Sequence, residues 1–452
     1  MTDRADTGHL LGVVLLVRHG DRQGFYQDPH SYTPSATAIT PLGNRQEYQL
    51  GQLLRLTYIE RNSSSHIQGI NDTIADQAQL RVRADAGGEG GVIFNSALSL
   101  LQGLYPATTD YTTRLANGTV VTGPLNGYQY IPIESVEPEN DVSMEGWTYC
   151  NNFITDTNNF YASSDFQLKE ADNRDFLRNL SQFLDGRPVT LNNMVMVTKV
   201  FDFMNVQSIH NQTFRDTLPN GYLEKARDII NWREYHTFSS NELSGIRNIA
   251  GRTILPSIIK GLNNISNPDE PTKLVYLAVS YKPLLSLFKM TRVADQNPQL
   301  AGIVNYAAAV AVEVWQQSPL SEPHLRFNFK NGTEDSHFKS FSFFGSSEDV
   351  PLSSFTTSLT SAGINTTAEW CSVCSNIKER GCDQVSIALD ANSQLYHQLI
   401  DPVGAGFLGA GLTLAIVTVI ILVLLFMKII SIGSKKSKPI ILSDQDSEHV
   451  GE

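Results

Sequence analysis

Arg18, His19, Gly20, Asp21 and Arg22 stand in a row where the short apolar run HLLGVVLLV ends. A neutral imidazole can attack phosphorus and hold a phosphoryl group covalently, which splits one difficult displacement into two easier ones. Two guanidiniums present planar donor forks to the phosphoryl oxygens, where charge is stabilised during transfer. The same cations depress the imidazole pKa and keep His19 nucleophilic in mildly acidic solution, while Gly20 lets backbone and ligand approach closely. The bland alternative is a strand-end cluster whose charges meet solvent or one another, and five residues alone do not decide between the two.

The surrounding pattern places this cluster at the edge of an α/β sheet. Residues 9–17 read as a central strand buried on both faces, with the cluster at its carboxyl end, where open α/β sheets bind ligands. A crossover helix follows from Pro41, with Leu50, Leu53, Leu54 and Tyr58 at helical spacing. Residues 81–106 begin strand-like, pass through the Gly-rich DAGGEGG and continue as a helix that Gly103 and Pro106 stop. From about 140 to 250 the texture becomes mostly helical, as in 222-YLEKARDIINWREYH-236. KLVYLAV (273–279) restores a buried strand, followed by a helix begun by Pro283. Residues 301–317 read as helix or strand, and 325–332 as strand plus turn. The predicted organisation is an α/β core over 9–139 and 251–400, an inserted helical subdomain over 140–250, a transmembrane helix over 404–430 and a cytosolic tail over 431–452.

At 452 residues the chain can bury a large core. Its formal charge of -12 argues against nucleic acid as a partner, so any anion site must be local. Phe407 to Met427 carries no charge and is long enough to cross a membrane as one helix. Lys428, Lys435, Lys436 and Lys438 follow it, which puts the C-terminus in the cytosol and the preceding residues in the lumen or outside the cell. Glycosylation acceptors at Asn62, Asn71, Asn117, Asn179, Asn211, Asn264, Asn331 and Asn365 lie on that outer side. The opening MTDRADTG lacks the basic start of a signal peptide. Cys150, Cys371, Cys374 and Cys382 suit structural disulfides in an oxidising compartment, with three pairings open; a zinc site would need ligands the neighbourhood lacks.

The RHGDR motif resembles the RHGxR signature of the histidine acid phosphatase family, the branch of the histidine phosphatases that holds acid phosphatases and phytases. The stretches 40-TPLG-43, 51-GQLLR-55, 96-SALSLLQGLYP-106, 204-MNVQSIHNQTF-214 and 301-AGIVNYAAAVAVEVW-315 agree, and the resemblance extends over most of residues 10 to 360. It implies a phosphoglycerate-mutase-like core sheet with flanking helices and a helical insertion. It also implies phosphomonoester substrates, no metal or cofactor, His19 as the phosphohistidine nucleophile, and Arg18 and Arg22 as phosphate ligands.

Two family features are replaced. The His-Asp pair after a late core strand, which binds phosphate and protonates the leaving oxygen, falls on Ser280 and Tyr281. The arginine that precedes the SA of the second core helix falls near Val92. Candidate substitutes for the acid are Asp21, Asp85 and Glu89, and for phosphate contacts Arg83 and Lys282, although a turn carboxylate is ordinarily just solvated. His210 reads as a packing residue, and His324 and His337 as loop residues. The expectation is a membrane-anchored phosphatase with an atypical proton donor; the alternative is an inactive ectodomain that binds a phosphorylated ligand.

Overall fold

A computed structural model describes residues 8–24, 37–184, 189, 191, 194–346, 349–385 and 402–426. The strands are β1 His9–Arg18, β2 Leu80–Asp85, β3 Thr112–Arg114, β4 Val120–Thr122, β5 Glu134–Val136, β6 Leu274–Val279, β7 Ala309–Gln316, β8 His324–Lys330, β9 Lys339–Phe341 and β10 Val350–Pro351. β3 and β4 form a separate hairpin; the others build one sheet in the order β10-β8-β7-β1-β6-β2-β5, with β9 beside β8.

β6 (LVYLAV) and the Val13–Val17 part of β1 are unbroken apolar runs that suit strands covered on both faces. Along β1, Val14 and Leu16 face one core, with Ile254, Ile258 and Leu262 of helix α9 (Ile249–Ser266). Val13, Leu15 and Val17 face the other, with Leu50 and Leu54 of α1 (Pro41–Leu54) and Ile93 and Leu100 of α2 (Gly90–Leu104). This period-two alternation fixes the register, because a one-residue slip would exchange the two cores. α1 and α2 pack at backbone distance: a Cβ on Gly51 would lie 2.0 Å from the Leu100 carbonyl oxygen, which only glycine avoids.

β1 pairs parallel with β6, which pairs parallel with β2, in the registers Arg18↔Val279 and Ala84↔Ala278. The carboxyl ends of these three strands therefore share one edge. Residues 19–22, 280–282 and 85–89 all emerge from it. Between β5 and β6 lie α4 (Asn151–Tyr161), α5 (Ser164–Leu180), α6 (Met194–His210), the short α7 (Gln212–Thr217) and α8 (Tyr222–Phe238), around a core that includes Phe166, Leu180, Met204 and Ile230.

The stretch 301–317, read as helix or strand, forms strand β7 over Ala309–Gln316, where its position between β1 and β8 supplies ladder partners on both sides. One local expectation needs correction. The helix expected to begin at Pro283 begins at Tyr281 as α10 (Tyr281–Met290), with Pro283 in its first turn, where no intrahelical N–H is needed.

The disulfides join Cys150 to Cys374 and Cys371 to Cys382. The first closes a sequence separation of 224 residues, which removes roughly 5 kcal/mol of chain entropy from the unfolded state. Both surround the buried Trp370, whose indole N–H donates to the Gly146 carbonyl at 2.8 Å.

Residues 402–426 form a helix in a second unit of the chain. Its side chains are described over 409–424 and are exposed or half-exposed, without a charge. Among the described residues no helix is long and apolar enough to cross a membrane. The rest of the span expected at 404–430, the tail 431–452, the lysines from 428 onward and the opening residues 1–7 lie outside the described residues.

Candidate active site

The turn after β1 is pinned by side chains from both flanking helices. Gly20 N–H donates to Ser96 Oγ at 3.1 Å, and Asp21 N–H to Gln46 Oε1 at 2.8 Å. A Cβ on Gly20 would meet the Gly43 carbonyl oxygen at 2.5 Å. The glycine therefore admits the start of α1 against the turn, rather than a ligand as the motif suggested.

This docking sets the imidazole. His19 is 1% exposed, and its Nδ1 lies 2.8 Å from the Gly20 carbonyl oxygen. A carbonyl can only accept, so Nδ1 carries the proton and Nε2 is left with the lone pair. Nε2 lies 2.7 Å from Glu89 Oε2, close enough to pair with that carboxylate when the ring is protonated. Burial, then Arg18 and Arg22, pull the His19 pKa down more strongly than Glu89 lifts it.

The arginines are buried and held. Arg18 Nη1 donates to the Val304 carbonyl, and its guanidinium lies 4.6 Å from the Tyr306 ring centroid and 5.3 Å from that of Tyr281. Its Nε has no partner. Desolvation lowers the Arg18 pKa, yet a guanidinium remains charged. Arg22 contacts Glu89 Oε1 through Nη2 at 2.9 Å and Nε at 3.1 Å, and Asp202 through Nη1 at 2.9 Å. Burial opposes the charge of Arg22, but Glu89 and Asp202 outweigh it and raise the pKa.

A cavity of about 880 Å³ opens over this edge, lined by Arg18, Arg22, Asp85, Glu89, Tyr281 and Tyr306 among others. That volume holds an ordinary small-molecule ligand. His19 is not part of the lining whereas Glu89 is, so the carboxylate covers the imidazole. Glu89 thus takes the place between His19 and Arg22 where a bound anion would lie.

The sequence candidates separate clearly. Arg18, His19 and Arg22 converge. Glu89 joins them, but not as an acid: burial would raise its pKa, yet Arg22, His19 and Arg18 hold it well below the ordinary carboxylate range, so it has no proton to give. Asp21 is turned away, fully buried and outside the cavity lining, with Oδ2 accepting from Thr40 Oγ1 and 2.7 Å from His210 Nε2. It ties the turn to α1 and α6, and His210, expected only to pack, is its hydrogen-bond partner. Arg83 is also elsewhere, bound to Glu134 at 2.9 and 3.0 Å and to Asp141 at 2.6 Å, because its side chain leaves the sheet on the β5 side. Lys282 lines the cavity, with Nζ 4.6 Å from the Trp147 ring centroid. Asp85 lines it too. His324 and His337 do not.

Sequence reasoning missed Tyr306, Asp202, Glu145, Arg227 and Arg233, which complete the lining from distant segments. Tyr306 lies inside the quoted stretch 301–315 and Asp202 two residues before 204–214, so proximity to those blocks was the available signal. Among the described residues no group of His, Cys, Asp and Glu converges as metal ligands would.

No family model matches the chain. Bovine prostatic acid phosphatase is 22% identical over 270 residues, 58% of this chain and 64% of that protein. Human prostatic acid phosphatase is 25% identical over 229 residues, 48% of this chain and 52% of that protein. The chain is therefore similar in sequence to prostatic acid phosphatases. The match spans less than two thirds of either curated relative. The Citrobacter braakii phytase shares the fold at a TM-score of 0.56 and 14% identity, over 81% of this chain and 99% of its own. The Klebsiella sp. ASR1 phytase does so at 0.54 and 12%, over 79% and 96%. In this chain the residues that follow β6 are Ser280 and Tyr281; the Tyr281 hydroxyl donates to Glu234 at 2.8 Å, and Ser280 Oγ is buried without a partner.

Proposed function

We propose that the chain hydrolyses phosphomonoesters through a phosphohistidine on His19. The observation that carries this reading is geometric: His19 Nδ1 lies 2.8 Å from the Gly20 carbonyl oxygen, which only an Nδ1–H satisfies, so in the neutral ring Nε2 holds the lone pair and faces the position, held by Glu89, that Arg22 completes. A phosphate dianion displaces the Glu89 carboxylate, taking Arg22 and the unpartnered Nε of Arg18 as donors. Nε2 then attacks phosphorus in line with the leaving oxygen. Because the imidazole pKa is lowered, the ring stays neutral to lower pH than a free histidine, which suits work in acid. The homology to prostatic acid phosphatases supports the same substrate class. The test is release of phosphate from an aryl phosphate at pH 4 to 6 by the purified chain. Competitively inhibited turnover is expected with inorganic phosphate as inhibitor, and background-level release contradicts the reading.

The second reading, a phospholigand-binding ectodomain without turnover, is favoured by Glu89 itself, since a carboxylate already neutralises Arg22 and covers His19. The two meet in one variant. Glu89→Gln removes the competing charge, and inorganic phosphate is expected to inhibit or bind about 10- to 100-fold more tightly, equivalent to roughly 1.4–2.8 kcal/mol. An unchanged phosphate constant, read by inhibition or calorimetry, shows that Glu89 does not compete for the site.

The reading further places the chain at a membrane of the secretory pathway, with the catalytic unit luminal or extracellular. The uncharged run 407–427, the disulfides and the exposure of Asn62, Asn71, Asn117, Asn179, Asn211 and Asn365 support it; Asn264 and Asn331 are half-buried.

A further inference from the structure

We propose that Asp85 is the proton donor to the leaving group, supplied by β2 in place of the residues that follow β6. This rests on the phosphohydrolase reading above. Once Glu89 is excluded as an acid and Asp21 is seen to face away, the edge still needs a group that can give a proton to an alkoxide. Ser280 and Tyr281 cannot: a serine hydroxyl is too weak an acid, and burial raises the Tyr281 pKa to about 12. Asp85 ends β2, the immediate neighbour of β6, and it lines the same cavity as Ser280 and Tyr281.

Its environment is that of a proton carrier. Asp85 is 1% exposed; Oδ1 accepts the Gly87 N–H at 2.9 Å, and Oδ2 is buried without a partner. A buried carboxyl oxygen with nothing bonded to it calls for an explanation, and a protonated Oδ2 awaiting a leaving oxygen gives one. Burial, then the negative charge of Glu145, push its pKa up to about 7, with Glu89 adding and the Gly87 N–H and Lys282 opposing. Arg380 also acts across the same space. Glu145 is held in place by the Gly88 N–H at 3.1 Å and the Thr148 hydroxyl at 3.0 Å.

The step balances. Nε2 of His19 bonds to phosphorus as the phosphorus–oxygen ester bond breaks, and the Asp85 proton passes to the departing oxygen, giving a neutral alcohol and an Asp85 carboxylate. That carboxylate then takes a proton from the water that attacks phosphohistidine; the phosphorus–nitrogen bond breaks, and phosphate leaves with Asp85 protonated again.

Leaving-group dependence tests this, because a proton donor matters for an alkoxide and hardly for nitrophenolate. In Asp85→Asn, kcat/KM is expected to fall about 10²- to 10⁴-fold for an alkyl phosphate and less than about tenfold for a nitrophenyl phosphate. The wild-type rate with the alkyl ester should decline as pH rises through about 7, and the variant should lose that limb. Equal losses for both esters overturn the Asp85 role and leave the phosphohydrolase reading standing; no His19-dependent turnover of either ester overturns both. If Asp85→Asn does not fold, the wild type decides. A shallow dependence of its rate on leaving-group basicity is expected, and a steep one contradicts the proposal.

Discussion

His19→Ala is expected to lower kcat/KM for an aryl phosphate by at least about 10⁴-fold. The reasoning is local. The turn that carries His19 is anchored at Gly20 to Ser96 and at Asp21 to Gln46 and Thr40, so removing the imidazole leaves the backbone and both arginines where they are. What disappears is the Nε2 lone pair and with it the covalent intermediate. Binding and charge stabilisation by Arg18 and Arg22 survive, so inorganic phosphate should still bind while turnover collapses. That separation of kcat from phosphate affinity distinguishes a lost nucleophile from a collapsed site. Equal turnover in both proteins means that the imidazole takes no part in the chemistry.

Arg18→Ala is expected to cost about 10²- to 10³-fold in kcat, the effect of losing one preorganised donor at developing charge. Arg18 does not share its charge with Glu89 through a direct contact, as Arg22 does. Its orientation comes from Val304 and from the faces of Tyr281 and Tyr306, and its buried Nε is left without a partner. Arg18→Lys should rescue little, because an ammonium has neither the planar fork nor the stacking face. Full activity in Arg18→Lys assigns the residue a general electrostatic role, without fork geometry.

The sheet edge was legible because its cues are local. A doubly buried strand shows as an unbroken apolar run, and the cluster that follows it can point only toward the carboxyl edge. Arg18, His19 and Arg22 converge for that reason. Roles that depend on which way a turn folds were not legible. The DAGGEGG turn swings Glu89 back onto His19 and Arg22, which converts an apparent acid into an anion stand-in. Asp21 follows the nucleophile by two residues, but the close docking of Gly20 on Gly43 rotates it toward Thr40 and His210. Arg83 and Asp85 are two apart on β2, yet Arg83 ends among Glu134 and Asp141 while Asp85, at the strand's end, reaches the cavity. Tyr306 and Asp202 arrive from segments nearly three hundred and two hundred residues away, a proximity set by the antiparallel pairing of β7 with β1 and by the helical layer, with no local pattern to announce it.

The covalent intermediate is the centre of this account, and trapping it is the most direct test. The chain is mixed with an aryl phosphate at pH 5, quenched in base within the first turnovers, digested, and read by mass spectrometry. Phosphate on the peptide that carries His19, stable in base, lost in acid and missing from His19→Ala, is the predicted result. Steady turnover with no phosphorylated peptide, or with the phosphate on another residue, contradicts it.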